Sequence, residues 1–181
     1  MPVIPAETAM RACVKLCQDN QVTLVRPGDP QREVALLGLA AAHALTGSGW
    51  SMEYARKNVS VTLPGAGPLS DLLKAIPYIG GLLAAVSGRL SKPTIYLAPA
   101  VMENGVTLMG TIQHELGHVG SMRAGGLGWC ICYGLIGEVR AAAEAPCYGI
   151  SMAHQVKFGG VPVHDAESAV MKALSYYGLD V

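Results

Sequence analysis

The sequence predicts an α+β domain that is mostly helical and carries a small sheet. Two observations lead to this fold class. Short alternating segments at residues 58–63 and 92–98 are typical of strands. Longer apolar segments with helical spacing make up most of the rest, and they lie at residues 6–19, 31–46, 104–126, 129–149 and 165–181. A chain of 181 residues has the length of one domain, so we treat residues 1–181 as a single unit.

The composition excludes some classes of partner. Lys plus Arg and Asp plus Glu number 13 each, so no overall positive charge attracts nucleic acid or anionic lipid. Only 14% of the residues are charged, where about a quarter is usual, and we therefore expect a partner to cover part of the surface. The start of the chain has no basic run followed by an apolar core, so we expect no signal peptide. We therefore expect synthesis in the cytoplasm. The final location stays open, and assembly into a particle is one alternative.

The amino-terminal half alternates helices with strand-like segments. A helix over Ala6–Asp19 is followed by the strand-like QVTLV and by a loop rich in proline and glycine. An alanine-rich helix then runs from Gln31 to Thr46, where glycines end it. Cys13 and Cys17 lie on consecutive turns of the first helix, where a disulfide would be strained, so we expect buried thiols.

Residues 67–90 form an unusually apolar stretch. Charged residues, proline and glycines divide it into pieces shorter than the roughly 20 apolar residues that a membrane span needs. We therefore predict no span, and interpret the stretch as two short helices packed on the core. A docking surface for a protein partner and a hairpin that seeks the membrane surface are the alternatives.

The segment from Asn104 to Gly126 carries residues suited to catalysis. His114 and His118 stand four apart on its predicted helix, so both imidazoles project from one face and can bind one metal ion. Glu115 is rotated by about 100° from His114, which places its carboxylate beside the metal rather than on it. There it can take a proton from a metal-bound water and deliver it to a leaving amine.

These residues, HELGH, resemble the H-E-x-x-H helix of the zincin metallopeptidases. The resemblance implies one Zn²⁺ per chain and a peptide-bond hydrolase with Glu115 as its catalytic base. It also implies a zincin-like fold in which an edge strand, here residues 92–98, precedes the active-site helix and binds an extended peptide. The metzincin branch is excluded, because Ser121 and Ala124 stand where it needs glycine and histidine.

A catalytic zinc site takes a third protein ligand, which we expect on the helix predicted over 129–149. Glu138 lies twenty positions after His118, the separation found in the thermolysin-like gluzincins, and is the predicted ligand. Ala142 replaces the aspartate of that pattern, so the partner that orients a metal histidine must come from elsewhere. Glu144, about 9 Å further along the helix axis, is expected as a solvated or supporting charge and is an alternative ligand. Other candidates for a third ligand or an oxyanion stabiliser are Tyr148, His154 and His164.

Two functions remain open from the sequence. In the first the chain is a zinc peptidase acting on a peptide, with peptidoglycan cross-links as a target suggested only by analogy. In the second it is a structural or assembly subunit, for example of a phage virion, that keeps a zincin fold with activity secondary or lost. The low charge and residues 67–90 favour assembly, whereas Glu115 favours catalysis, because a purely structural metal site does not need it.

Overall fold

The computed structural model describes residues 4–45, 51–64 and 92–175. Residues 67–90, for which the sequence predicts two short helices and for which a docking surface is an alternative, lie outside the described residues. Within them no helix is long and apolar enough to cross a bilayer. The described α-helices and strands, in chain order, are α1 (Ala6–Asp19), β1 (Thr23–Val25), α2 (Pro30–Leu45), α3 (Met52–Asn58), β2 (Val61–Leu63), β3 (Thr94–Tyr96), α4 (Gly105–Leu135), α5 (Gly137–His154) and α6 (Val163–Ser175). A 3-10 helix at Pro99–Glu103 precedes α4, and a π-helical turn at Gln155–Gly159 follows α5. The described part of the chain is therefore α+β and mostly helical.

Helix α3 is an element that the sequence pattern did not predict. Its seven residues are too few to show a helical period, but its ends carry the usual signals. The Ser51 side chain accepts a hydrogen bond from the Tyr54 backbone N–H at 3.3 Å, and basic residues occupy the last turn. Buried Arg32 of α2 donates to the carbonyls of Ala55 and Val59 at 3.2 and 2.7 Å, which joins α2 to the carboxyl end of α3.

The three strands form a mixed sheet in the order β1-β3-β2. Strand β3 pairs parallel with β1 and antiparallel with β2, and Ile95 lies opposite Leu24 on one side and Thr62 on the other. The prediction that residues 92–98 supply an edge strand was therefore wrong, because β3 is central. The burial of all three β3 residues fits this position. Among the described strands, β2 is the edge strand on the side of α4.

Helices cover both faces of this sheet. On one face Ile95 packs with α1 and α4 in the main apolar cluster, which includes Leu108 and Ile112. On the other face the Tyr96 hydroxyl donates to Gln31 of α2 at 2.8 Å, and a smaller apolar cluster joins α2, α3 and β2. Helix α5 packs along α4 on the side away from the sheet. The sheet and α5 thus hold α4 from two sides.

The cysteines of α1 should resist alkylation in the folded protein. Burial raises the pKa of Cys13 to about 12 and that of Cys17 to about 11, and both thiols are free and fully buried. At pH 8 the thiolate fraction of a group with a pKa near 11 is about 100-fold below that of an ordinary thiol. We expect iodoacetamide to modify the partly exposed Cys130 and Cys132 first. Peptide mapping by mass spectrometry checks this order, and equal labelling of all four sites without urea would contradict it.

Candidate metal centre

Helix α4 presents His114 and His118 of the HELGH segment on the side that faces α5. Its start is capped by the Asn104 side chain, which accepts a hydrogen bond from the Val106 backbone N–H at 2.7 Å. Buried apolar residues of α4 face the sheet, and His114 and His118 lie on the opposite side of the helix. Beyond them Gly126 has φ of 56° and breaks the helical geometry. The chain then turns at Ile136 and returns as α5.

Glu144 of α5 completes a group of three side chains that could hold a metal ion, named the metal-binding group below. The Nε2 atoms of His114 and His118 are 3.1 Å apart. The Glu144 Oε2 atom lies 3.1 Å from His114 Nε2, and its Oε1 atom lies 3.4 Å from His118 Nε2. Neighbouring ligand atoms on a tetrahedral zinc with bonds of 2.0–2.1 Å are about 3.3 Å apart. The chemistry and spacing of these donors therefore fit a metal ion, and this group can hold one.

The group is buried and electrostatically coupled. Only 4% of Glu144 and 5% of His118 is exposed. Burial alone would raise the pKa of Glu144, but the hydrogen bonds and charges of the two histidines hold it well below its usual range. Burial alone would also lower the pKa of His118, but its contacts with Cys147 and Glu144 raise it to about 11. Glu144 is therefore an anion, and its negative charge favours a cation bound next to the two histidines.

The structure does not bring Glu138 to the histidines. Glu138 is exposed in the first turn of α5, next to the α4–α5 turn, and it is not part of the group. Glu144 lies nearly two turns further along α5, where this helix packs against the middle of α4. The prediction assumed one helix over 129–149, whereas the helical segment that follows the kink at Gly126 ends at Leu135 and α5 starts only at Gly137. This break changes which residues of α5 lie opposite His114 and His118, so that Glu144 instead of Glu138 faces them.

Glu115 lies beside the group on the side of the sheet. It is buried, and its Oε2 atom accepts a hydrogen bond from the Thr62 hydroxyl at 2.5 Å. Thr62 is on the edge strand β2, so this contact connects the edge of the sheet to the centre of α4. Glu115 thus lies near the metal-binding group without belonging to it.

Two contacts to this group were not predicted from the sequence. The Tyr133 hydroxyl donates a short hydrogen bond to Glu144 Oε1. The Cys147 Sγ atom lies 3.9 Å from Nδ1 of His118. Cys147 thus contacts the histidine atom that a supporting partner would contact, and Ala142 does not supply such a partner. The position of Cys147, one turn after Glu144, is a signal that could have identified it. No such signal exists for Tyr133, because it reaches Glu144 from the other helix.

The remaining sequence candidates divide into two groups. Tyr148 is at the site, with its ring 4.8 Å from that of His114 in an edge-on arrangement. His154 instead packs on Phe158 at 4.6 Å, and burial with the nearby Lys157 lowers its pKa. His164 is exposed and contacts Asp165 at 2.8 Å. Neither histidine belongs to the metal-binding group or to the lining of the adjacent cavity.

A cavity of about 810 Å³ opens onto the group. Its lining comes from α3, from β2 and the turn before it, from the segment before α4, and from α4, α5 and α6. Glu115 and Thr62 are part of this lining. The aromatic side chains in the lining are Tyr54, Trp129, Tyr133 and Tyr148. The cavity therefore gives the metal-binding group access to a ligand of substantial size.

Helices α4 and α5 approach closely where Gly117 faces Cys147. A Cβ atom on Gly117 would lie 2.7 Å from Cys147 Sγ, which is closer than packed atoms allow. We expect Gly117→Ala to push α5 away and to weaken metal binding by at least about tenfold, because Glu144 moves with α5. The Gly117→Ala/Cys147→Ala double variant removes the clashing sulfur and should bind metal better than Gly117→Ala. Titration with Zn²⁺ tests this, and a single variant with unchanged affinity would contradict it.

The fold and this group define a class: a mostly helical α+β protein with a buried His-His-Glu group that can hold a metal ion. Comparisons with protein-family models, with curated proteins and with solved structures found no match. This description of the class is therefore based on the residues of this chain and on their geometry.

Proposed function

We propose that the protein is a zinc-dependent peptide hydrolase in which His114, His118 and Glu144 bind one zinc ion and Glu115 is the general base. The observation that carries the proposal is the position of Glu115 beside the three side chains that could hold a metal ion, in the lining of the same cavity. Structural zinc sites are closed by four protein ligands, whereas catalytic sites use three and keep one position for water. The described residues supply three.

Zinc bound by this group would supply a Lewis acid that acidifies water and polarises a carbonyl. Glu115 does the proton transfer. The Thr62 hydroxyl holds Oε2, so Oε1 is the atom that takes a proton from the attacking water and delivers it to the leaving amine. The burial of Glu115 keeps bulk water from competing for this proton.

The edge strand β2 supports a peptide as the substrate. Val61 and Thr62 line the cavity next to Glu115, and the backbone of an edge strand can pair with an extended peptide. Such a peptide would place a backbone carbonyl over the metal-binding group. This arrangement favours a peptide bond over a small ester, and a peptidoglycan cross-link belongs to the same bond class.

Tyr148 is our candidate for the residue that stabilises the oxyanion. Its ring is edge-on to His114 and lines the cavity on the side of α5, across from β2. A hydroxyl donor at that position can stabilise the negative charge of a tetrahedral intermediate. His154 and His164 do not line the cavity, which leaves Tyr148 as the candidate from this set for the role.

A second function, an assembly subunit with a zincin-like fold, is supported by one surface feature. Ile131, Leu135 and Ile136 are exposed together at the α4–α5 turn. Exposed apolar clusters of this kind often mark protein contacts. This surface does not compete with the metal centre, so the two functions are separable by measurement.

The test combines metal analysis with hydrolysis assays. Protein purified without added metal should contain about one zinc per chain by elemental analysis. It should cleave internally quenched peptides or cross-linked peptidoglycan, and a chelator should stop this activity until Zn²⁺ is restored. A protein that takes up no zinc at micromolar concentrations would refute the proposal. Zinc binding without hydrolysis of either substrate would favour the assembly subunit.

A further inference from the structure

We infer that Tyr133 is a positioning residue of the metal centre, which acts by fixing the carboxylate of Glu144. This inference rests on the proposed metal-binding function of His114, His118 and Glu144. Tyr133 is not a catalytic residue in this account, because its contact is with a metal-binding side chain.

The first argument is the hydrogen bond itself. The Tyr133 hydroxyl donates to Oε1 of Glu144, while Oε2 of the same carboxylate lies 3.1 Å from His114 Nε2. Rotation of the carboxylate would break this hydrogen bond, and water cannot replace the donor easily because only 4% of Glu144 is exposed. Tyr133 therefore favours a metal contact through Oε2.

The second argument is the way in which Tyr133 is held. Its ring stacks on Trp129 with centroids 4.9 Å apart and an interplanar angle of 24°. The guanidinium of Arg140 lies 5.8 Å from the centre of the ring. Trp129 is one turn before Tyr133 on α4, so the stacked pair is a rigid unit of this helix.

Arg140 connects this unit to Glu144. It is 1% exposed, and it donates to the carbonyls of Tyr133 and Gly134 at 3.0 and 2.8 Å. These carbonyls belong to the last turn of α4, where the helix supplies no partner for them. Arg140 and Glu144 are four residues apart on α5 and share one face. The end of α4 is thus fixed to the face of α5 that carries Glu144.

Outer partners of this kind affect a metal site strongly. Loss of a residue that orients a metal ligand typically weakens metal binding or activity by about 10–100-fold. The Tyr133→Phe variant deletes the hydroxyl but keeps the ring, so the contacts with Trp129 and Arg140 remain. We expect its Zn²⁺ affinity to fall by about 10–100-fold, and Arg140→Lys, which loses the planar fork of donors, to show a smaller loss.

The experiment measures Zn²⁺ affinity by competition with a chromophoric chelator, and unfolding temperature with and without excess Zn²⁺. Tyr96→Phe is the matched control, because it also deletes a tyrosine hydroxyl that donates a hydrogen bond, here to Gln31 on the other face of the sheet, and Tyr96 does not line the cavity. For Tyr133→Phe we expect a nearly unchanged unfolding temperature without metal and a smaller increase on addition of Zn²⁺. For Tyr96→Phe we expect the wild-type affinity and the wild-type increase.

Four results would overturn the inference, and they are distinguishable. If wild type binds Zn²⁺ and Tyr133→Phe binds it equally well, Tyr133 has no positioning role while the proposed metal site stands. If Tyr133→Phe is destabilised equally with and without Zn²⁺ and keeps its affinity, the role of Tyr133 is only structural. If wild type binds no Zn²⁺, the proposed function itself fails, and the inference fails with it. If Tyr133→Phe does not fold, an unchanged Zn²⁺ affinity in Arg140→Lys would overturn the inference.

Discussion

Glu115→Gln is expected to slow peptide hydrolysis by about 10²–10⁴-fold while the protein keeps its zinc. The amide has the size of the carboxylate and can still accept the hydrogen bond from Thr62, but it cannot take a proton from water. The effect should appear mainly in kcat, because Glu115 acts in the transition state rather than in substrate binding. Steady-state kinetics with a quenched peptide, together with zinc analysis of the same sample, measures both quantities.

Glu103→Gln is the matched control for this variant, since Glu103 is an exposed glutamate in the turn before α4. It should hydrolyse peptide at the wild-type rate. Loss of zinc in Glu115→Gln would make Glu115 a metal ligand instead of a base. A wild-type rate in Glu115→Gln would show that another group activates the water.

Glu144→Gln should lose zinc, whereas Glu138→Gln should retain it. Glu144 is a buried anion between two imidazoles, and an amide offers a metal ion no negative charge and a much weaker ligand. Glu138 is exposed at the start of α5. Elemental analysis should find less than about a tenth of a zinc per chain in Glu144→Gln and about one in Glu138→Gln.

Both substitutions keep side-chain size and remove one negative charge, so each variant controls for the other. Circular dichroism should show that both fold. The opposite pattern, with zinc lost only in Glu138→Gln, would restore the ligand predicted from the gluzincin spacing and would remove Glu144 from the metal site.

Local features of this chain were predictable from the sequence because they depend on neighbouring residues. The period of apolar residues predicted α1 with its observed bounds, Ala6–Asp19. The i, i+4 spacing of His114 and His118 placed both imidazoles on one face, since helical geometry alone determines that arrangement. The position of Glu115 beside them follows from the same geometry. The short helix α3 was missed because seven residues carry too little periodicity.

Features that join distant segments were decided only by the tertiary structure. The identity of the third side chain depends on where α4 ends and α5 begins, and a break of the chain at Ile136 brings Glu144 rather than Glu138 to the histidines. The central position of β3 depends on pairing with β1 and β2, which local alternation does not reveal.

The supporting contacts follow the same rule. Tyr133 reaches Glu144 from the opposite helix, and Thr62 reaches Glu115 from the sheet. Neither contact leaves a pattern in the local sequence. The sequence by itself determined that His114 and His118 share one face of a helix with Glu115 beside them, because helical spacing depends only on neighbouring residues. The tertiary structure decided which other side chains meet these three, because packing between α4, α5 and β2 sets the distances between segments far apart in the chain.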